Sequence, residues 1–223
     1  MRVALYWAPR SDDPLHRLGS QWLGRDAERG VLLGQPEMNG FNLWELTSDA
    51  RRYGLHATLK APFHLQRSFP EFVEAVDDVA RSLKPFELPA LQVSELDGFL
   101  ALTQKQPSAA LQHLAETCVS ALDAFRPELT DDEIARRKPD GLGQRDREYL
   151  MRWGYPYVFE SWRFHVTLSC RLSGDETVLV KPHAERHFQD ALAARPVQDI
   201  CIFSQDGPAE PFRLVHRAGF EAG

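Results

Sequence analysis

The sequence predicts a two-lobed domain of α/β or α+β class with pseudo-twofold symmetry. Three observations carry this. Helical and extended patterns follow a similar order in the two halves, each half holds one strand reading His-x-Thr-Leu, and no Gly-rich phosphate loop points to a parallel nucleotide-binding sheet. The expected division is a single domain over 1–223, with one lobe roughly over 1–105 and the other roughly over 106–223.

In the first half, "VALYWAP" (3–9) is apolar and rich in strand formers, and Pro9 ends it. Asp13 as N-cap and Pro14 at the first helical position open a helix whose Leu15, Leu18 and Trp22 share a face. Residues 25–54 read as a long connection with a short helix near "TSDARRYG". "LHATLKAPF" is a strand. Ser68 and Glu71 form a capping box before a helix carrying Phe72, Val73, Val76, Val79, Ala80 and Leu83 on one stripe. "FELPALQVSEL" and "GFLALTQ" are two strands joined at the turn signal Asp97-Gly98.

The second half opens on a helix, "PSAALQHLAETCVSALDAF". Residues 126–160 are polar and basic, with a Thr130/Glu133 capping signature and a helix "QRDREYLMRW" stopping at Gly154. "WRFHVTLSCRL" is the next strand, "KPHAERHFQDALAA" a helix, and "QDICIFSQ" and "PFRLVHRAGF" the closing strands.

Composition narrows the function. With 43% hydrophobic and 26% charged residues the chain has an ordinary globular balance. It has no apolar run long enough for a membrane helix and no secretory h-region at its start, so a cytoplasmic protein is expected. Cys118, Cys170 and Cys201 are odd in number and widely spaced, which fits buried free thiols and neither a disulfide framework nor a structural zinc site. A net charge of -6 disfavours binding along a nucleic-acid backbone. A local basic pocket for a small anion or a strand end stays open.

On a strand, residues two apart share a face. Leu55, Ala57 and Leu59 then point into the core, while His56, Thr58 and Lys60 point the other way. In the second copy Phe164, Val166, Leu168 and Cys170 go inward, leaving His165, Thr167, Ser169 and Arg171 opposite. About 0.03 His-x-Thr-Leu matches are expected by chance in this composition, so two copies in matching places mark a site. Two imidazoles can hold and accept a proton near neutrality, and two hydroxyls can donate to an anion between them. That constellation suits cleavage of a phosphodiester. It needs no metal or other cofactor, and its few carboxylates argue against Mg²⁺.

At His56-Ala57-Thr58-Leu59 and His165-Val166-Thr167-Leu168 the sequence resembles the two-histidine (2H) phosphoesterase superfamily, which includes LigT-like RNA-end enzymes and cyclic phosphodiesterases. The resemblance implies an α+β fold, with antiparallel sheets lining a central cleft and helices outside. It also implies a phosphoric diester hydrolase. In "RRYGLHATLKAPF" and "WGYPYVFESWRFHVTL" the sequence is similar to the bacterial branch of that superfamily encoded beside phosphonate-degradation genes. The implied substrate is a small cyclic phosphate, with a phosphoribosyl 1,2-cyclic phosphate as candidate. Rival readings are an RNA-end 2′,3′-cyclic phosphodiesterase or 2′–5′ ligase-like enzyme, and a non-catalytic binder of a phosphorylated metabolite.

On this reading His56 and His165 are the general base and acid, in an order the sequence leaves open, and Thr58 and Thr167 hold the phosphate oxygens. Lys60, Arg171, Tyr6, Tyr155 and Tyr157 are further candidates to bind substrate. His183 and His187 have helical i, i+4 spacing but lack a third metal ligand, and read as a surface pair. The basic cluster "ARRKPDGLGQRDR" within 126–160 reads as a loop that folds over the cleft as a lid.

Overall fold

A computed structural model describes residues 1–38 and 40–221. The chain begins with β1 (Arg2–Trp7), α1 (Pro14–Leu23), the short hairpin β2 (Arg25–Asp26) and β3 (Val31–Leu32), then α2 (Leu43–Leu46) and α3 (Ser48–Tyr53). It continues through β4 (Ala57–His64), α4 (Phe69–Arg81), β5 (Phe86–Leu88), β6 (Leu91–Leu96) and β7 (Phe99–Gln104). After α5 (Ala109–Ala121), α6 (Asp131–Arg136) and α7 (Gln144–Trp153) come β8 (Val166–Arg171), α8 (Gly174–Phe188), β9 (Arg195–Val197), β10 (Asp199–Gln205) and β11 (Arg213–Gly219).

Local signals set the helix starts. Asp13 accepts from the amide of Leu15, and both the Ser68/Glu71 and Thr130/Glu133 capping boxes form, satisfying donors that the helix cannot. Gly24 and Gly154 close α1 and α7 in the left-handed region. Two expectations shift. The helix expected from Lys181 starts at Gly174, because Ser173 and Glu176 form a third capping box, and it accommodates Pro182. "FELPALQVSEL" is two strands broken at Pro89, and β5 pairs with β9 in a separate sheet.

The fold is α+β, with a seven-stranded antiparallel sheet in the order β11-β10-β1-β4-β8-β7-β6. The chain repeats the series strand, helix, strand, helix, strand, strand: β1-α1-β4-α4-β5-β6, then β7-α5-β8-α8-β9-β10. Each repeat gives its last strand to the other. The strand β10 from the second repeat pairs with β1, and β6 from the first pairs with β7. The helices exchange likewise: α4 packs on β10 and β11 and α5 on β4, whereas α8 packs on β6 and β7 and against α1. Sequence periodicity cannot show this, since it reports which face of a strand is apolar and not which strand lies beside it.

Val3, Leu5 and Trp7 enter the main core with Leu55, Ala57, Leu59, Phe164, Val166 and Leu168. Ala4, Tyr6 and Ala8 point to the opposite face, where a smaller cluster forms with Ala27, Cys201, Phe203 and Phe212. No helix among the described residues is long and apolar enough to cross a membrane.

Candidate active site

β4 and β8 meet at the centre of the sheet through one pair, Ala57 with Val166. Both of these residues are fully buried. In antiparallel register that pair sets His56 across from Thr167 and Thr58 across from His165, all four on the face opposite Ala57 and Val166. The two motifs therefore come together as crossed His–Thr pairs. Each imidazole is fixed alike: His56 Nδ1 lies 2.9 Å from the Gly54 carbonyl, and His165 Nδ1 lies 2.9 Å from the Arg163 carbonyl. A carbonyl oxygen only accepts, so both rings carry hydrogen on Nδ1 and turn Nε2 away from the backbone. Among the described residues, neither threonine hydroxyl is engaged by a hydrogen bond within the protein.

The two histidines differ in what lies behind them. Tyr6 pairs with Thr58 and stacks on the His56 ring at 3.8 Å. The corresponding partner of Thr167 is Ala101, which offers no ring, and Phe99 stands 5.9 Å from His165. Burial pushes the His56 imidazole down to about 4; the Gly54 carbonyl opposes this and nearby His165 adds to it. His56 is thus neutral across the physiological range.

A cleft of about 420 Å³ runs along the β8 side and is lined by Thr58, His165, Arg171, Tyr155 and Tyr157, with Phe99 and Trp162. Trp162 donates its indole N–H to the Thr58 carbonyl at 2.8 Å, tying the segment before β8 to β4. Tyr157 is exposed and Tyr155 half-buried, their rings edge to face at 5.6 Å. Burial raises the Tyr155 phenol, which stays a hydrogen-bond donor. Tyr6 is 1% exposed, so it supports the His56 ring from behind and does not line the open cleft as expected.

Lys60 does not share the expected face with His56 and Thr58. Thr58 opposes Tyr6 but Lys60 opposes Leu5, so β4 bulges by one residue between them. The bulge turns Lys60 to the core side, where it is 4% exposed. There its Nζ donates to the Val119 carbonyl at 3.0 Å and pairs with Asp123 at 3.4 Å. A related irregularity occurs in β8, where Ala101 opposes Thr167 and Phe99 opposes Arg171, so that two extra residues lie between them. Ser169 is turned in to 2% exposure and accepts from the Leu100 amide. That bulge keeps Arg171 at the cleft and leaves Cys170 partly exposed, against the expectation of a buried thiol. Strict alternation misplaces Lys60, Ser169 and Cys170 for one reason: extra residues break it, one between Thr58 and Lys60 in β4 and two between Thr167 and Arg171 in β8.

Lys60→Met is accordingly expected to cost about 1–2 kcal/mol of stability, since Asp123 keeps Arg126 and Arg152 as partners. Chemical melts alongside kcat/KM check this. More than a tenfold loss of kcat/KM at unchanged stability would return Lys60 to the reacting phosphate.

Among the described residues, no group of three His, Cys, Asp or Glu side chains is placed to hold a metal ion. His187 is turned inward, its Nε2 2.8 Å from the Leu18 carbonyl, so it does not form a surface pair with His183. Sequence reasoning missed Tyr53, whose ring lies 6.0 Å from His56 and stacks on Phe212. It also missed Phe99 and Trp162. Tyr53 stands three residues before His56, at the end of α3, a signal that was present but not distinctive.

The 126–160 segment folds as α6, α7 and short 3-10 turns. Gln112 holds it through the Phe159 carbonyl at 2.8 Å, and Arg152 through Asp123 at 3.4 Å.

Comparison with solved structures gives E. coli LigT in its complex with NADP+, at 11% identity and TM-score 0.48 over 98% of this chain and 97% of that one. A structure described as a phosphoesterase aligns at 14% identity and TM-score 0.46 over 98% and 97%. Among curated proteins, a ribose 1,5-bisphosphate phosphokinase PhnN of Janthinobacterium sp. (strain Marseille) is 40% identical over 98% of this chain. A protein of the same name from Laribacter hongkongensis (strain HLHK9) is 35% identical over 96%. The chain spans about half the length of these two relatives, 51% and 50%. Residues 58–213, which hold Thr58 and the whole second motif, match the family described as "Protein of unknown function (DUF1045)", and the chain belongs to that family.

Proposed function

We propose that the chain is a two-histidine phosphoesterase that opens a small cyclic phosphate, with His56 as general base and His165 as general acid. The observation that supports this is the register at Ala57–Val166, which sets each histidine across from a threonine, with both imidazoles fixed through Nδ1. Neutral His56 takes a proton from water through Nε2 as the water oxygen bonds to phosphorus. The phosphorus–oxygen bond to the sugar breaks, and protonated His165 gives its Nε2 proton to the leaving oxygen. The product is a phosphomonoester, and proton exchange with solvent restores both rings. Thr58 and Thr167 donate to the non-bridging oxygens, where charge builds in the transition state.

The stacking of Tyr6 on His56, and its absence at His165, supports this order of roles. A ring that resists protonation is a base over a wide range. The acid limb of kcat/KM is therefore expected at about pH 4, with activity falling below it as His56 gains its proton. A pH profile whose acid limb lies near 6.5 would reverse the assignment.

A phosphoribosyl cyclic phosphate is the substrate we favour, supported by the name of the curated relatives, which refers to a ribose bisphosphate. Turnover of a panel holding a ribose 1,2-cyclic phosphate, a nucleoside 2′,3′-cyclic phosphate and a 2′–5′ dinucleotide tests it. Hydrolysis of the first above the others supports the reading. Preference for either nucleotide would make this an RNA-end enzyme, and turnover of none would make it a binding protein.

A further inference from the structure

A second cavity, of about 410 Å³, adjoins the cleft, and Tyr155 lines both. It lies along β4 beyond the bulge, where β8 no longer pairs, and is roofed by the 126–158 segment. Its charge is at odds with a chain of net charge -6: Arg2, Lys60, Arg126, Arg136 and Arg137 line it against a single carboxylate, Glu133.

Not all of that charge is available. Asp123 neutralises Lys60 and Arg126, and Glu133 is engaged by the Thr130 amide and hydroxyl of its own capping box. Arg2, Arg136 and Arg137 pair with no carboxylate among the described residues. Arg2 donates to Gln205 at 3.0 Å, Arg136 to the Asp132 carbonyl at 3.2 Å, and the Arg137 guanidinium lies over the Tyr155 ring at 4.9 Å. Arg136 and Arg137 are exposed at the rim of the cavity and Arg2 is partly buried; unpaired guanidinium groups around a concavity form a receptor for a phosphate group, which their planar forks match in geometry.

We infer that this cavity is a second phosphate subsite, so that the substrate carries a cyclic phosphate at the His–Thr pairs and a separate phosphomonoester beyond Tyr155. Tyr155 stands between the two, its ring against Arg137 and its phenol still protonated, placed to meet the sugar that joins them. The inference rests on the hydrolase reading above and assigns the residues that would hold the phosphomonoester of the substrate favoured there. It also gives a role to the basic cluster at 135–147: Arg136 and Arg137 are the part of the cover that meets substrate.

The test compares ribose 1,2-cyclic phosphate with the same ring bearing a 5-phosphate, in wild type and in R136A/R137A. Wild type is expected to prefer the doubly charged ring by about 100-fold in kcat/KM, chiefly through KM, and the double variant to shrink that preference below about fivefold. A structural defect would lower both substrates together and leave the ratio. An unchanged ratio, or no preference in wild type, overturns the subsite. If wild type opens neither ring, the hydrolase reading fails by itself, and calorimetry with ribose 5-phosphate then decides the subsite. Binding lost in R136A/R137A and kept in T58A supports it; any other pattern overturns it.

Discussion

Replacing His165 with alanine is expected to lower kcat/KM on a cyclic phosphate by about 10³-fold while leaving the fold intact. Its imidazole is partly exposed, it holds only the Arg163 carbonyl, and its loss unpacks little beyond the Phe99 contact. On the proposed mechanism what disappears is the proton for the leaving oxygen, a term of about 10²–10⁴ in rate for a placed general acid. His56→Gln, which keeps volume against Tyr6, is expected to cost a similar factor. The two losses do not multiply, because each residue acts on the same transition state. Unimpaired turnover by both variants, across the whole substrate panel, would sink the two-histidine mechanism. Leaving-group dependence gives a sharper reading: H165A should recover much of its rate on an ester whose leaving group needs no proton, and His56→Gln should not.

Gly54→Ala is expected to have the largest effect on stability of any single methyl added near the site. Gly54 has φ 82° and ψ 177°, a region only glycine visits readily. A Cβ there would also overlap the Cβ of Ala27. Strain and overlap together should cost about 3 kcal/mol or more, a fall of roughly 6–12 °C in Tm for a chain of this size. The carbonyl that holds His56 Nδ1 belongs to this same residue, so the fold and the His56 ring are disturbed at once. Thermal melts and kcat/KM on the folded fraction measure the two effects separately. A Tm within 2 °C of wild type would show that the 27 and 54 segments separate without penalty.

What could be read from the sequence was local. The capping boxes at Ser68 and Thr130, the stop at Gly154 and the core-facing Leu55, Ala57, Val166 and Leu168 all depend on neighbours a few residues away. The two motifs were legible because they repeat. Their meeting across Ala57–Val166 was inferable only from that repetition. What escaped was register. One extra residue between Thr58 and Lys60 in β4 reversed Lys60, and two between Thr167 and Arg171 in β8 turned Ser169 inward, with nothing in either pattern to announce it. The stacking of Tyr6 on His56 was not legible either, since it depends on which strand lies beside β4. The Ser173/Glu176 box was a local signal passed over, because the periodicity after Lys181 drew the helix boundary instead.

The exchange of final strands between the repeats has a consequence for how the molecule comes into being. The edge of β1 can be completed only when β10 arrives, with Tyr6 meeting Cys201 across nearly the whole chain. Neither repeat completes its part of the sheet from its own residues. The slow, entropically costly step of folding is therefore shared by both repeats. Unfolding is shared too: a defect that frees β10 strips β1, then loosens Tyr6 from His56, while β6 leaving would undo β7 and with it Thr167. The two imidazoles stand or fall as one cooperative unit.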